Sequence, residues 1–281
     1  MADSKTGRSN RYTQIIQHVF ERRFRPGDEE VAFTRADFEL AANSLALEVL
    51  RNLGDVVYSF RYRIPLPESI TSLAPAGREW VIFPAGKGVY CFRLAPFGLV
   101  LPRSGLDMIK VPDATPGLIA RYATSDEQAL LARVRYNRLL DIFTGVACYS
   151  LQSHMRTTIE VDNPLSGALD KSQVETDELY LGIDRYGAHH IFPVQAKGGS
   201  DAISVVQIWQ DFRVATQKFP GLIPRPVAAQ FDAEDVIVLF EFREGDGGIV
   251  IVQERRFQLV NEDELTSEEL QCYRDVAQRF H

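Results

Sequence analysis

The chain has 281 residues, 45% hydrophobic and 25% charged, with a formal charge of −7. That is an ordinary globular balance, long enough for one large domain or two modest ones with real cores. Three scattered cysteines without a CxxC pair signal neither a disulfide framework nor a zinc site and fit a reducing, cytoplasmic setting. The polar start "MADSKTGRSN" and the lack of any run of about 18 apolar residues leave no membrane contact to expect.

In chain order, "RYTQIIQHVFERRF" (11–24) places Tyr12, Ile15, Ile16, Val19, Phe20 and Phe24 on one helical stripe, stopped by Pro26-Gly27. "VAFTRADFELAANSLAL" then offers Thr34 as an N-cap with Asp37 three positions on. A short element in "NLGDVVYSFRYR" is followed by "EWVIFPAGKGVYCFRL", two β-rich runs around Ala85-Gly86-Lys87-Gly88. That order matches a winged helix-turn-helix module, and a generic α+β lobe fits it about as well. "VPDATPG" (111–117) is the linker candidate and divides a winged-helix-like module, 1–110, from a second domain, 111–281.

Beyond the linker, "TSDEQALLARVRYNRLLDIFTGVACYSLQSH" reads as one long helical segment, capped by Thr124 with Glu127 or by Ser125 with Gln128. An extended piece (155–161), a loop at Asn163-Pro164, and the hairpin "ETDELYLGIDRYGAHHIFPVQAKGGSD" (175–201) follow. Next come a helix from about Asp201, a hairpin around 244–248 and a last helix from about Ser267. Positive charge gathers in "ERRFR", "SFRYR" and "ARVRYNR". Arg61 and Arg63 in the second, and Arg135 and Arg138 in the third, are candidates for DNA phosphate contact, with a solvated helix face as the competing explanation.

The hairpin carries the chemistry. Arg185-Tyr186-Gly187 suits a three-residue loop with Gly187 left-handed, which makes paired residue numbers sum to 372. Asp177 then lies opposite Gln195 and Glu175 opposite Lys197, all on one face. A carboxylate, an amide oxygen and a strand carbonyl (Ala196) are hard oxygen donors suited to Mg²⁺, and a lysine beside them holds or helps deprotonate a metal-bound water. A polar ladder with a Glu175–Lys197 pair is the competing structural explanation.

The spacing of Asp177 from Gln195-Ala196-Lys197 resembles the PD-(D/E)xK nuclease superfamily in its QxK variant, over about residues 120–220, and bacterial restriction endonucleases most of all. The resemblance implies an α/β (α+β) fold, a mixed central sheet flanked by helices. It implies a Mg²⁺-dependent DNA endonuclease, with Mn²⁺ as a substitute, acting on double-stranded DNA, and a homodimer is expected for cutting both strands. Asp177, Gln195 and Ala196 would ligate the metal, Lys197 and Glu175 would complete the catalytic set, and Gln207 on the next helix would approach DNA. Gln195 stands where the family has an acid, so Gln195→Glu is expected to be tolerated. Glu160 is a weaker candidate for the extra acid some of these nucleases place before the hairpin. His189 and His190 read as ordinary strand residues. The alternative is a non-catalytic winged-helix DNA-binding regulator with a degenerate nuclease-like half.

Overall fold

The protein is described by a computed structural model covering residues 3–47, 52–122, 127–198, 202–233 and 236–279. The chain begins with helix α1 (Asp3–Arg23), strand β1 (Glu30–Thr34) and helices α2 (Arg35–Ser44), α3 (Leu53–Tyr62) and α4 (Glu68–Thr71). Strands β2 (Glu79–Gly86), β3 (Val89–Ala95), β4 (Leu99–Val100) and β5 (Met108–Pro112) follow. Helices α5 (Gly117–Tyr122), α6 (Glu127–Tyr136) and α7 (Leu139–Thr144) lead into the long strands β6 (Ala147–Asn163) and β7 (Ala168–Ile183), then β8 (His189–Lys197). The remainder is β9 (Ile203–Ser204), α8 (Val205–Lys218), β10 (Ile223–Pro224), β11 (Val227–Ala233), β12 (Val236–Gly245), β13 (Gly248–Val260) and α9 (Ser267–Arg279).

The architecture is mixed α/β. A three-stranded sheet of order β1-β3-β2 is joined to an eight-stranded mixed sheet of order β5-β13-β12-β11-β8-β7-β6, with β10 alongside β8. Local chemistry starts the first part as the sequence implies. Asp37 accepts the Thr34 backbone N–H at 2.7 Å and its hydroxyl at 2.9 Å, closing a capping box on α2. The α1 stripe from Tyr12 to Phe20 is buried with Phe33, Phe38 and Phe92. Strand alternation then divides β2 between two cores: Trp80 and Ile82 face α1, whereas Val81 and Phe83 pack with Val205, Ile208 and Phe212 of α8.

The large sheet is covered by α6 and α7 on one face and by α8 on the other, with β2–β3 laid over α8. The N-terminal module is thus clamped to the sheet. β4 pairs with β9, Val205 N–H donates to the Gly98 carbonyl at 2.9 Å, and Lys87 N–H donates to Asp170 Oδ2 at 3.1 Å. β5 pairs with β13, so the large sheet starts at Met108, ahead of the 111–117 linker candidate.

The long helical segment expected after the linker is broken twice. Arg138 has φ +51° and ends the run of α6, and Gly145 has φ +67° and caps α7. From Ala147 the chain is the edge strand β6, whose residues 149–154 are exposed whichever way they point, so no alternation marks them. The α8 N-cap is Ser204, in a capping box with Gln207. Asp201, Thr124 and Ser125, proposed as caps, lie outside the described residues. No described helix is long and apolar enough to cross a membrane.

One glycine in the hairpin is fixed by packing. A Cβ on Gly182 would lie 2.7 Å from Val146 Cγ1 and 2.8 Å from Phe192 Cε2. Gly182→Ala therefore overpacks the α7 side of the sheet and is expected to lower stability by about 1–3 kcal/mol in denaturant unfolding. An unchanged midpoint would show that this layer yields.

Candidate active site

The hairpin register agrees with the turn chemistry. Gly187 has φ +81°, Asp184 N–H donates to the Ala188 carbonyl at 3.1 Å, and the pairs run from Ile183 with His189 to Glu178 with Val194. Past Glu178 the backbone ladder stops. Ala196 N–H is taken instead by Asp177 Oδ2, at 2.8 Å. A side-chain carboxylate has replaced a strand carbonyl, so β7 and β8 part at this point.

A slip in β7 aims Asp177 this way. Leu179 packs in the α8 core, and Thr176 donates to Asp211 of α8 at 2.6 Å. Residues three apart cannot share a face of a regular strand, so the alternation is lost at Asp177–Glu178. His154, on the neighbouring strand, is left-handed at φ +49°. Glu178 turns the other way, wholly buried, and is held by Arg135 and by the Ser150 hydroxyl at 2.8 Å. Asp177 is left pointing along the sheet, toward Ala196.

Two helices complete the surroundings, each by simple periodicity. On α6, Leu130, Leu131 and Val134 are buried against β8, and Glu127 lies on the same stripe one turn earlier. Its carboxylate therefore meets Lys197 at the strand end in a close ion pair. On α8, Gln207, Asp211 and Ala215 recur every four residues and face β7–β8. Gln195 Nε2 donates to Asp211 Oδ1 at 3.1 Å and to the Glu175 carbonyl at 3.2 Å, and Gln195 Oε1 accepts from Gln207 at 3.1 Å.

The electrostatics follow from these contacts. Burial pushes the Asp177 carboxyl up and Glu127 adds to it, while the Ala196 N–H and Lys197 pull it back without cancelling the rise. Burial opposes the Lys197 charge, but the Glu127 carboxylate outweighs it and holds the ammonium above its usual range. Lys197 is thus a permanent cation at neutral pH, suited to holding a water or a phosphate oxygen rather than removing a proton. Burial dominates at Asp211, whose carboxyl is pushed up to about 8, and its Oδ2 has no partner among the described residues.

A raised carboxyl stabilises the fold when protonated. The contribution of Asp211 is full below its ordinary value near 4 and is lost as pH rises toward 8, at up to about 1.4 kcal/mol per pH unit. Asp211→Asn keeps the acceptor for Thr176 and Gln195 and should remove this component. Urea unfolding at pH 5 and pH 8 reads it, and equal pH dependence in both proteins would contradict the assignment.

Placement of the remaining expected site residues is mixed. Glu175 is bound by Arg156 at 3.1 Å rather than by Lys197, though Glu175 and Lys197 line the same cleft. Arg61 Nε is tied to the Ile82 carbonyl at 2.6 Å, and the Arg63 guanidinium lies 4.8 Å from the centre of the Tyr58 ring. Arg135 neutralises Glu178, and Arg138 pairs with Asp141 at 2.5 Å, so both have partners within the protein. Glu160 is far from this cluster in role: its backbone N–H and carbonyl are both bound by Gln217, at 2.8 Å each.

Mg²⁺ is usually held by one or two carboxylates with several waters retained, and the donors here fit that pattern. Asp177 has one oxygen without a partner among the described residues, and Glu127 lies close enough for its charge to act on Asp177. No group of three or more His, Cys, Asp or Glu side chains suited to a metal occurs among the described residues, so a full protein cage is not what these donors form. Gln195 already has partners for both ends of its amide, which makes it a brace more than a ligand. No family model, curated protein or solved structure matches the chain.

Proposed function

We propose that the chain is a Mg²⁺-dependent DNA endonuclease, hydrolysing phosphodiester bonds at the Asp177–Glu127–Lys197 cluster. The observation that carries this reading is the Asp177 carboxylate accepting the Ala196 N–H where β7 and β8 part, beside the Lys197–Glu127 pair. A carboxylate placed there costs a strand bond and gains nothing structural that a carbonyl would not supply. Asp177 and Glu127 would hold the metal, with the Ala196 carbonyl as a neutral donor. When bound, Mg²⁺ neutralises charge building on the phosphoryl oxygens, and Mn²⁺, which shares the oxygen preference, would substitute.

Lys197, kept charged by Glu127, positions the attacking water and offsets phosphate charge. Gln195 and Asp211 brace the end of β8 against α8, holding Ala196 and Lys197 at a fixed distance from Asp177. For residues 1–110, the order α1-β1-α2-α3-α4-β2-β3 with β3 central in its sheet supports a winged-helix reading.

Supercoiled plasmid, unmethylated and methylated, incubated with the protein in Mg²⁺ or in EDTA, tests the activity. Nicked or linear product only with Mg²⁺ is the expected result. No metal-dependent cutting across diverse DNA would overturn the enzyme reading.

A further inference from the structure

The wall opposite the hairpin is α3, and it bounds the approach to Lys197. A cleft of about 760 Å³ lies between α3 and the β6–β8 edge, with Tyr58, Tyr62, Arg63, Arg156, Lys197 and Gln207 among its walls. That volume falls within the roughly 300–1,000 Å³ of sites that enclose one small ligand. Tyr58 is 47% exposed, and its ring centre is 4.9 Å from that of Tyr62. Thr157, Thr158 and the largely exposed Arg156, which is paired with Glu175, line the β6–β7 side.

Resting on the nuclease reading above, we infer that the strand cut at Lys197 enters this cleft unpaired, with a base against Tyr58 and its phosphates along Arg156 and Lys197. Exposed aromatic rings interleaved with cations form the surface that takes single strands, because every base has a face to stack and every nucleotide a phosphate. A duplex presents neither face, its bases being stacked on one another. Nor does the N-terminal module have freedom to swing aside and admit one. β4–β9 pairing, the Lys87–Asp170 and Gly98–Val205 hydrogen bonds and the apolar layer between β2 and α8 fasten it to the large sheet. Arg61, tied to the Ile82 carbonyl, holds α3 against β2 from within. One site per chain suffices for one cut in one strand, so this substrate does not call for the homodimer expected for duplex cleavage.

The test uses one labelled sequence as a single strand, as a full duplex, and as a duplex with a short unpaired bubble, each carrying 2-aminopurine. Cleavage is followed in Mg²⁺, and binding in Ca²⁺ by anisotropy and by 2-aminopurine fluorescence. The single strand and the bubble should be cut at least about tenfold faster than the duplex, and stacking should quench the probe. Tyr58→Ala should weaken single-strand binding by about tenfold and relieve the quench. Equal cleavage of duplex and single strand, or unchanged binding by Tyr58→Ala, would overturn the inference while leaving the nuclease reading in place. Tight, quenched single-strand binding without cleavage of any substrate would keep the single-strand site in this cleft but overturn the nuclease reading and with it the cut at Lys197.

Discussion

Lys197→Ala should lower the single-turnover cleavage rate by about 10²–10³-fold, the usual loss when one charged or hydrogen-bonding group aimed at the transition state is removed. DNA affinity should change little, because phosphate binding is spread over many contacts. Stability should also hold. Lys197 itself is half-buried, but the partner left behind, Glu127, is 41% exposed, so water can solvate its charge once the lysine is gone. Rates from rapid-quench assays, compared with anisotropy titrations in Ca²⁺, separate the two effects. A variant with normal rate and weakened binding would reassign Lys197 to substrate holding. A second consequence follows from the raised Lys197 ionisation: the rate should show no inflection from this residue between pH 6 and 9.

Gln195→Glu is the second large expected effect, and here the fold reverses what the motif alone implies. By the family pattern this substitution restores an acid and is expected to be tolerated. In the structure the Gln195 amide donates to Asp211 Oδ1 at 3.1 Å and to the Glu175 carbonyl at 3.2 Å, and Gln195 is 1% exposed. A carboxylate in its place would face a buried carboxyl and a carbonyl with no donor of its own. Breaking a buried, hydrogen-bonded arrangement this way costs about 3–5 kcal/mol when the charge is left uncompensated. We expect Gln195→Glu to lower the urea midpoint sharply at pH 8 and less at pH 5, where the new acid is more readily protonated. Adding Asp211→Asn returns an amide to the pair and should recover most of the loss. If Gln195→Glu folds as stably as the parent at pH 8, the Asp211–Gln195 brace is not what fixes this strand.

The parts of the site legible in the sequence are those set by neighbours along the chain. Gly187 in a three-residue loop fixed the pairing of β7 with β8 down to Glu178 and Val194, because turn geometry determines register. The α1 stripe and the Thr34–Asp37 box were readable for the same reason. What failed depends on distance. Glu127 meets Lys197 across seventy residues, and read locally it belongs to a helix cap. Asp211 is an acid within the apolar face of α8, a pattern that could have flagged it, but its partners Thr176 and Gln195 come from two strands. The shared face expected for Asp177 and Gln195 assumed unbroken alternation, which β7 abandons at Asp177 itself. Arg61, Arg135 and Arg138 stand out in the sequence on charge alone; their partners Ile82, Glu178 and Asp141 are visible only in the fold.

In the proposed reaction Asp177 and Glu127 together would hold the metal used for cleavage at Lys197. The most direct test is Mn²⁺ binding, followed by the loss of the free-ion electron paramagnetic resonance signal, on the parent protein, Asp177→Asn and Glu127→Gln, with cleavage measured on the same samples. The parent should bind Mn²⁺ and cut DNA, and each variant should stay folded, bind the ion at least about tenfold more weakly and lose cleavage in step. Both variants binding Mn²⁺ and cutting DNA as the parent does would contradict that role.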